Sequence, residues 1–275
     1  MSVFDMDERD SDTSGLLGGL VARLRGGYNP PLKALRPFEA DYPRGTPTDA
    51  GGRLTHDLEG RPLTAKYVVG RRMVGGEDQA LPATEFDALA TATTGRIAEA
   101  LPSSKMGQDF GTTAVDQVTG RPRGIWLRDD LPPGDAAMVY AHELGHAIDQ
   151  WAGQIPTAGL RGELRSIYNS LNNPHRRPDG DAPFWMRFTP RDQGYGPDGS
   201  RREYIVEAIR AYLADPNYLK TVAPGTAARI SEYVNSHPEL SKIIQFNTLA
   251  GPVLFGSNDP EQPTSPNGFD PEHSP

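Results

Sequence analysis

The stretch VYAHELGHAIDQWAG, residues 139–153, sets His142 and His146 four positions apart, with Glu143 beside the first. On an α-helix, residues i and i+4 stand one turn apart on the same face, so a helix here aims two imidazoles at one cation. Two imidazoles do not complete a tetrahedral site. A catalytic zinc needs a third protein ligand and an open fourth position. The chain has no cysteine, so that ligand has to be a carboxylate or another histidine. Glu143 is rotated about 100° from His142 and flanks the cation, where a carboxylate can take a proton from water. Gly145 lies inside the same helix, where it costs about 1 kcal/mol relative to alanine. Either a close backbone approach requires it or it is simply tolerated.

Composition narrows the setting. The 275 residues allow one large domain or two small ones, and the 26 prolines, about twice average usage, predict long irregular segments beside the core. A net charge of −8 argues against a nucleic-acid or anionic-membrane surface. No apolar run is long enough to insert in a membrane, and the acidic start, residues 1–12, lacks the basic region of a signal peptide. A chain that is cytoplasmic or exported by a leaderless route is the expectation. Nothing demands an oligomer, and a monomer is favoured.

Along the chain, residues 1–50 read as a disordered or extended N-terminal segment, with one short helix over LLGGLVARL. Residues 51–255 read as the folded domain, and residues 256–275 as a disordered tail. Short β-type runs come first, the best of them AKYVVGRR. Thr84 can cap a helix over EFDALATATTGRIAEAL, with Phe86, Leu89, Ala90, Thr93 and Ile97 on one face. A strand around residues 125–127 precedes the histidine helix, which Asp135 caps. GIWL is the edge along which an extended peptide could pair, and Trp126 reads as a core residue. A helix with Leu164, Ile167, Tyr168 and Leu171 in register follows. Residues 172–202 read as irregular, a plausible flap with Phe184, Trp185 and Phe188. Helices over EYIVEAIRAYLAD, GTAARISEYVNS and PELSKIIQFN complete the domain. This is an α+β class: a small mixed N-terminal sheet followed by a mostly helical half.

Two groups compete for the third ligand. Asp149 shares the histidine face and can orient a ligand, but reaching the same ion would strain the helix. In REYIVEAIRAYLADP, Glu203 and Glu207 are one turn apart. One reading makes Glu203 the ligand and Glu207 the acceptor of a ligand histidine's other ring N–H. The other makes them solvated acids balanced by Arg202 and Arg210. His56, His175, His237 and His273 have no partner at ligand spacing; Tyr140 and Tyr204 read as core aromatics.

HELGHAIDQWAG, then EYIVEAIRAYLADP, then APGTAARI resembles the catalytic domain of anthrax lethal factor and its bacterial and phage relatives, zinc peptidases of the gluzincin type. The resemblance covers residues 136–230, about a third of the chain, and implies a zincin-like metallopeptidase fold. It implies one Zn²⁺ per chain on His142, His146 and Glu203, with Glu143 as general base and Glu207 behind the ligands. It further implies that Tyr195, in a Tyr-Gly pair one residue farther from Glu203 than expected, donates to the oxyanion. The expected function is zinc-dependent hydrolysis of a protein or peptide substrate. The alternatives are a zinc hydrolase of a non-peptide amide, or a non-enzymatic phage or secreted module with a structural zinc site.

Overall fold

The structure is a computed structural model, and it describes residues 47–50, 53–57, 60–71, 78–107, 109–116, 118–172, 189–193 and 195–247. The LLGGLVARL helix, the tail at 256–275, His175, His273 and the three aromatic residues of the expected flap lie outside these. A bridge between Thr48 and Leu54 ties together residues on either side of the boundary expected at position 50.

Among the described residues the chain is mixed α and β, with small sheets and eight α-helices. Strand β1, Tyr67–Val69, is followed by a single 3-10 turn, Ala83–Glu85, and helix α1, Phe86–Thr94. Phe86, Leu89, Ala90 and Thr93 are buried along α1 as their spacing predicts. The helix is shorter than the sequence suggests. Gly95 takes a left-handed φ of 82° and stops it, so Ile97 falls outside the stripe and is 58% exposed. Thr84 sits within the 3-10 turn, and α1 begins with no side-chain cap.

Strand β2, Glu99–Leu101, helix α2, Ser103–Met106, strand β3, Gly111–Val115, and strand β4, Pro122–Arg128, come next. The order in this sheet is β2-β4-β3, with β2 parallel and β3 antiparallel to β4. GIWL, in β4, is therefore the centre of the sheet and not its edge. The edges are β2 and β3. Trp126 is only partly buried: Arg96 lies over its ring, and its indole N–H donates to Glu99 at 3.1 Å.

Helix α3, Pro133–Trp151, carries the paired histidines. Its first turn begins at Pro133, whose fixed φ suits that position, and Asp135 lies inside the turn with no capping bond. Asp135 thus favours the start through the helix dipole rather than as a cap. One side of α3 packs on β3 and β4; the other crosses helix α5, Pro197–Ala214. Between them in the chain comes helix α4, Arg161–Asn172, which packs on α5 with Leu164, Ile167 and Tyr168 buried. Residues 197–202, expected to be irregular, form the first turns of α5.

Helix α5 is buried nearly all round: Ile205, Val206, Ala208, Ile209, Ala211, Tyr212 and Leu213 are all inaccessible. Each large aliphatic there contributes about 1.5–3 kcal/mol from leaving water. The chain continues through α6, Pro216–Val222, α7, Pro224–Ser236, and α8, Leu240–Ile243. Asp215 accepts from the Tyr218 N–H and starts α6, a helix the sequence pattern hides. The expected helix over PELSKIIQFN survives only as the single turn of α8. Its remainder is strand β5, Ile244–Phe246, which pairs in parallel with β1. Tyr212 packs against Phe246, 4.7 Å between ring centroids, and joins this small sheet to α5.

Candidate metal centre

The crossing of α3 and α5 builds the site. Gly145 meets the Val206 turn so closely that a Cβ on it would stand 3.0 Å from the Val206 carbonyl oxygen and 3.1 Å from Val206 Cγ1. The glycine in the middle of a long helix thus answers to a backbone approach. Glu203 lies three residues before Val206, on the adjacent turn, and the close crossing brings its carboxylate against the imidazoles on α3.

His142 Nε2 and His146 Nε2 are 3.1 Å apart. His142 Nε2 is 3.4 Å from Glu203 Oε2, and His146 Nε2 is 3.4 Å from Glu203 Oε1. A tetrahedral zinc with ligands at 2.0–2.1 Å has ligand-to-ligand edges of roughly 3.3–3.4 Å. The donor set, two imidazoles and one carboxylate, is of the kind that zinc accepts in open sites. In both composition and spacing, these residues fit such an ion.

Behind them lies a second layer. Glu207 Oε1 is 3.1 Å from His142 Nδ1, and its other oxygen accepts from Arg210 Nε at 2.8 Å and Nη2 at 2.6 Å. This chain assigns the Nδ1 proton of His142 to the Glu207 side and leaves Nε2 facing the site. In the metal-free cluster, burial alone would lower the His142 pKa, but hydrogen bonds and charge from Glu203 and Glu207 outweigh it and raise it to about 10. His146 is raised in the same way, against its own burial, mainly by Glu203. Burial would raise the Glu203 carboxyl, yet the two imidazoles hold it down at about 2. Without a cation, protons on the imidazoles neutralise the buried acid.

Glu143 lies on the sheet side of α3 and is only 4% exposed. Thr113 Oγ1, on β3, donates to Glu143 Oε2 at 2.7 Å and is 3.0 Å from the Glu143 carbonyl oxygen. Tyr195 comes to the same cleft from the segment before α5, where its N–H donates to the Pro190 carbonyl and its own carbonyl accepts from Ser200 Oγ. Its phenol oxygen is buried and has no hydrogen-bond partner among the described residues. Burial first, then the charges of Glu203 and Glu143, push its ionisation far up, so it stays a neutral donor.

Asp149 is turned elsewhere. It accepts from the Ile155 N–H at 2.8 Å and from Arg202 Nη1 at 2.9 and 3.0 Å, pinning the end of α3 to the start of α5 rather than holding an imidazole. Tyr140 is buried and donates to Asp87; Tyr204 stacks edge-on against Tyr168. His237 accepts backbone N–H groups through Nδ1, and His56 lies beside Thr55. Sequence reasoning missed Asp109, whose carboxyl rises to about 6 through burial and then through the charge of Glu143. It missed Thr113 and Gly111 as well. All three sit around the edge strand, 30 or more residues from Glu143, where no helical spacing could expose them.

No protein-family model, curated protein or solved structure matches this chain. Among the described residues, no helix is long and apolar enough to cross a membrane.

Proposed function

We propose that this chain is a zinc-dependent endopeptidase of the gluzincin type with a zincin-like fold, in which His142, His146 and Glu203 hold the ion and Glu143 is the general base. The observation that carries this reading is the convergence of His142 Nε2, His146 Nε2 and the Glu203 carboxylate from two helices: the nitrogens are 3.1 Å apart, each lies 3.4 Å from one of the two carboxylate oxygens, and Glu207 and Arg210 are bonded behind His142. Bound zinc would supply Lewis acidity and make water nucleophilic near neutral pH. The chain's own groups do the rest. Glu143 accepts the proton of the attacking water and passes it to the leaving amine. The Tyr195 phenol, buried with a proton to donate, hydrogen-bonds the carbonyl oxygen as negative charge develops on it. Glu207 keeps His142 in the tautomer that points Nε2 at the ion. The outer edge of β3, beside Glu143, offers backbone groups to an extended peptide, since β4 is already paired on both sides.

The test combines zinc analysis with cleavage of a fluorescence-quenched peptide library. Wild type should hold one zinc and cleave. Glu143→Gln should keep the zinc and lose roughly 10²–10⁴ in kcat. Glu203→Ala should lose the zinc. Hydrolysis that survives Glu143→Gln would overturn the proposal.

A further inference from the structure

The general base does not stand alone on its helix. Its carboxylate leans onto β3, and two residues of that strand receive it. Gly111 and Thr113 are two positions apart, so both face the same side of the sheet. Thr113 donates its hydroxyl to Glu143 Oε2 at 2.7 Å, a well-formed O–H···O hydrogen bond. The same oxygen lies 3.0 Å from the Glu143 carbonyl, so one hydroxyl grips both the side chain and the main chain of the helix at this residue. Gly111 leaves the space that the rest of the side chain fills. A Cβ there would lie 2.7 Å from Glu143 Oε1, 2.8 Å from Glu143 Cγ and 2.6 Å from Val139 Cγ1. No side chain at position 111 is compatible with Glu143 in this rotamer.

We propose that Gly111 and Thr113 form a cradle on the edge strand that fixes the Glu143 carboxylate in its working orientation, with Thr113 as the positioning residue. The inference rests on the peptidase reading for its catalytic meaning, but the cradle itself is a property of the chain. It adds a use for β3 besides pairing a substrate: the strand holds the base as well as the peptide edge. A hydroxyl bound to one oxygen leaves the other to receive a proton, and it removes the rotamers in which the carboxylate swings away.

The experiment has two arms. In turnover of the quenched peptide library by the zinc-loaded full chain, Thr113→Val should lower kcat about 10- to 100-fold, the scale of a misplaced catalytic group, with KM and zinc content unchanged. Thr113→Ser keeps the hydroxyl and should restore most of the rate; Thr113→Ala, which differs from serine only by that hydroxyl, should not. The second arm is a double-mutant cycle read as urea midpoints of the metal-free chain. Thr113→Val should lower the midpoint more in the wild-type background than in Glu143→Ala, where the carboxylate is gone and only the main-chain carbonyl is left to accept. Equal losses in both backgrounds, or a valine variant with wild-type kcat, would overturn the cradle. If the wild-type chain cleaves nothing in the library, the peptidase reading falls, and the stability cycle alone decides the cradle. Should valine prevent folding, the alanine and serine variants carry both arms.

Discussion

The two sides of the cleft are finished to different degrees. On α5, both carboxylates that face the imidazoles have partners: Glu203 spans both histidines, and Glu207 is held between His142 and two nitrogens of Arg210. On the β3 side, the buried Glu143 carboxylate accepts one hydroxyl bond among the described residues, from Thr113, and the half-buried Asp109 carboxyl is pushed up to about 6. In the segment before α5, the buried Tyr195 phenol oxygen has no hydrogen-bond partner among the described residues. Buried polar groups are normally satisfied, because leaving one unpaired costs about 1–3 kcal/mol. The contrast teaches that the histidine–glutamate half is preorganised by the protein's own bonds; on the proposed function, the other half would be completed by what enters it.

Tyr195→Phe gives the largest effect that tests this contrast. On the proposed mechanism, removing this donor should lower kcat about 10²–10³-fold, and because the phenol has no hydrogen-bond partner among the described residues, the phenylalanine variant should be as stable as wild type or more so. A large loss of stability would mean that the hydroxyl serves the fold. Glu207→Ala attacks the opposite side. It should weaken zinc affinity by about 10- to 100-fold, measured by competition with a chelator, and leave kcat of the zinc-saturated chain comparatively intact. A fall in kcat without loss of affinity would erase the distinction between the two sides.

Gly145→Ala tests the crossing that joins them. The added methyl meets a carbonyl oxygen at 3.0 Å and should destabilise the chain by about 1–3 kcal/mol in a denaturation midpoint, together with weaker zinc retention. An alanine variant as stable as wild type, with full zinc, would show that the helices can part freely.

Removing the metal makes stability depend on pH in a defined sense. His142 is raised from 6.5 to about 10, so its contribution is fully present below pH 6.5 and fades as pH rises toward 10. Glu203 is lowered from 4.5 to about 2, so its contribution is present above pH 4.5 and fades as pH falls toward 2. The metal-free chain should therefore gain most from this pair between pH 4.5 and 6.5. If zinc is the ion, as proposed, it must displace the imidazole protons, so the stabilisation it adds should grow as pH rises through neutrality. Thermal melts with and without chelator, across pH 4–9, measure both trends.

The part of this site that could be read in the sequence is the part written in helical spacing. His142 with His146, and Glu203 with Glu207, repeat every four residues because their helices carry them to one face. The structure brings all four together. Gly145 was also legible as a possible close approach. What escaped is written across the chain. Thr113 reaches Glu143 over 30 positions, and nothing in GTTAV announces it. Residues 244–246 became strand because β1, about 180 positions away, pairs with them, although KIIQF has a helical look. The all-round burial of α5 was hidden as well, since its apolar residues fall on every face and no stripe stands out. APGT, which looked like a family signature, has a structural reason. The Glu163 carboxylate accepts the N–H groups of Gly225 and Thr226 and the Thr226 hydroxyl, and so caps the start of α7.

Arg210 has a wider meaning than its bond to Glu207. A divalent cation and this guanidinium together would match the negative charge of Glu203, Glu207 and Glu143, so these three carboxylates would be balanced before any reaction. Transfer of a proton to Glu143 would then tip the cleft toward positive charge at the moment the substrate oxygen turns negative. Replacing Arg210 with a neutral residue would start the same cycle one charge too low, with the penalty paid where the oxyanion forms.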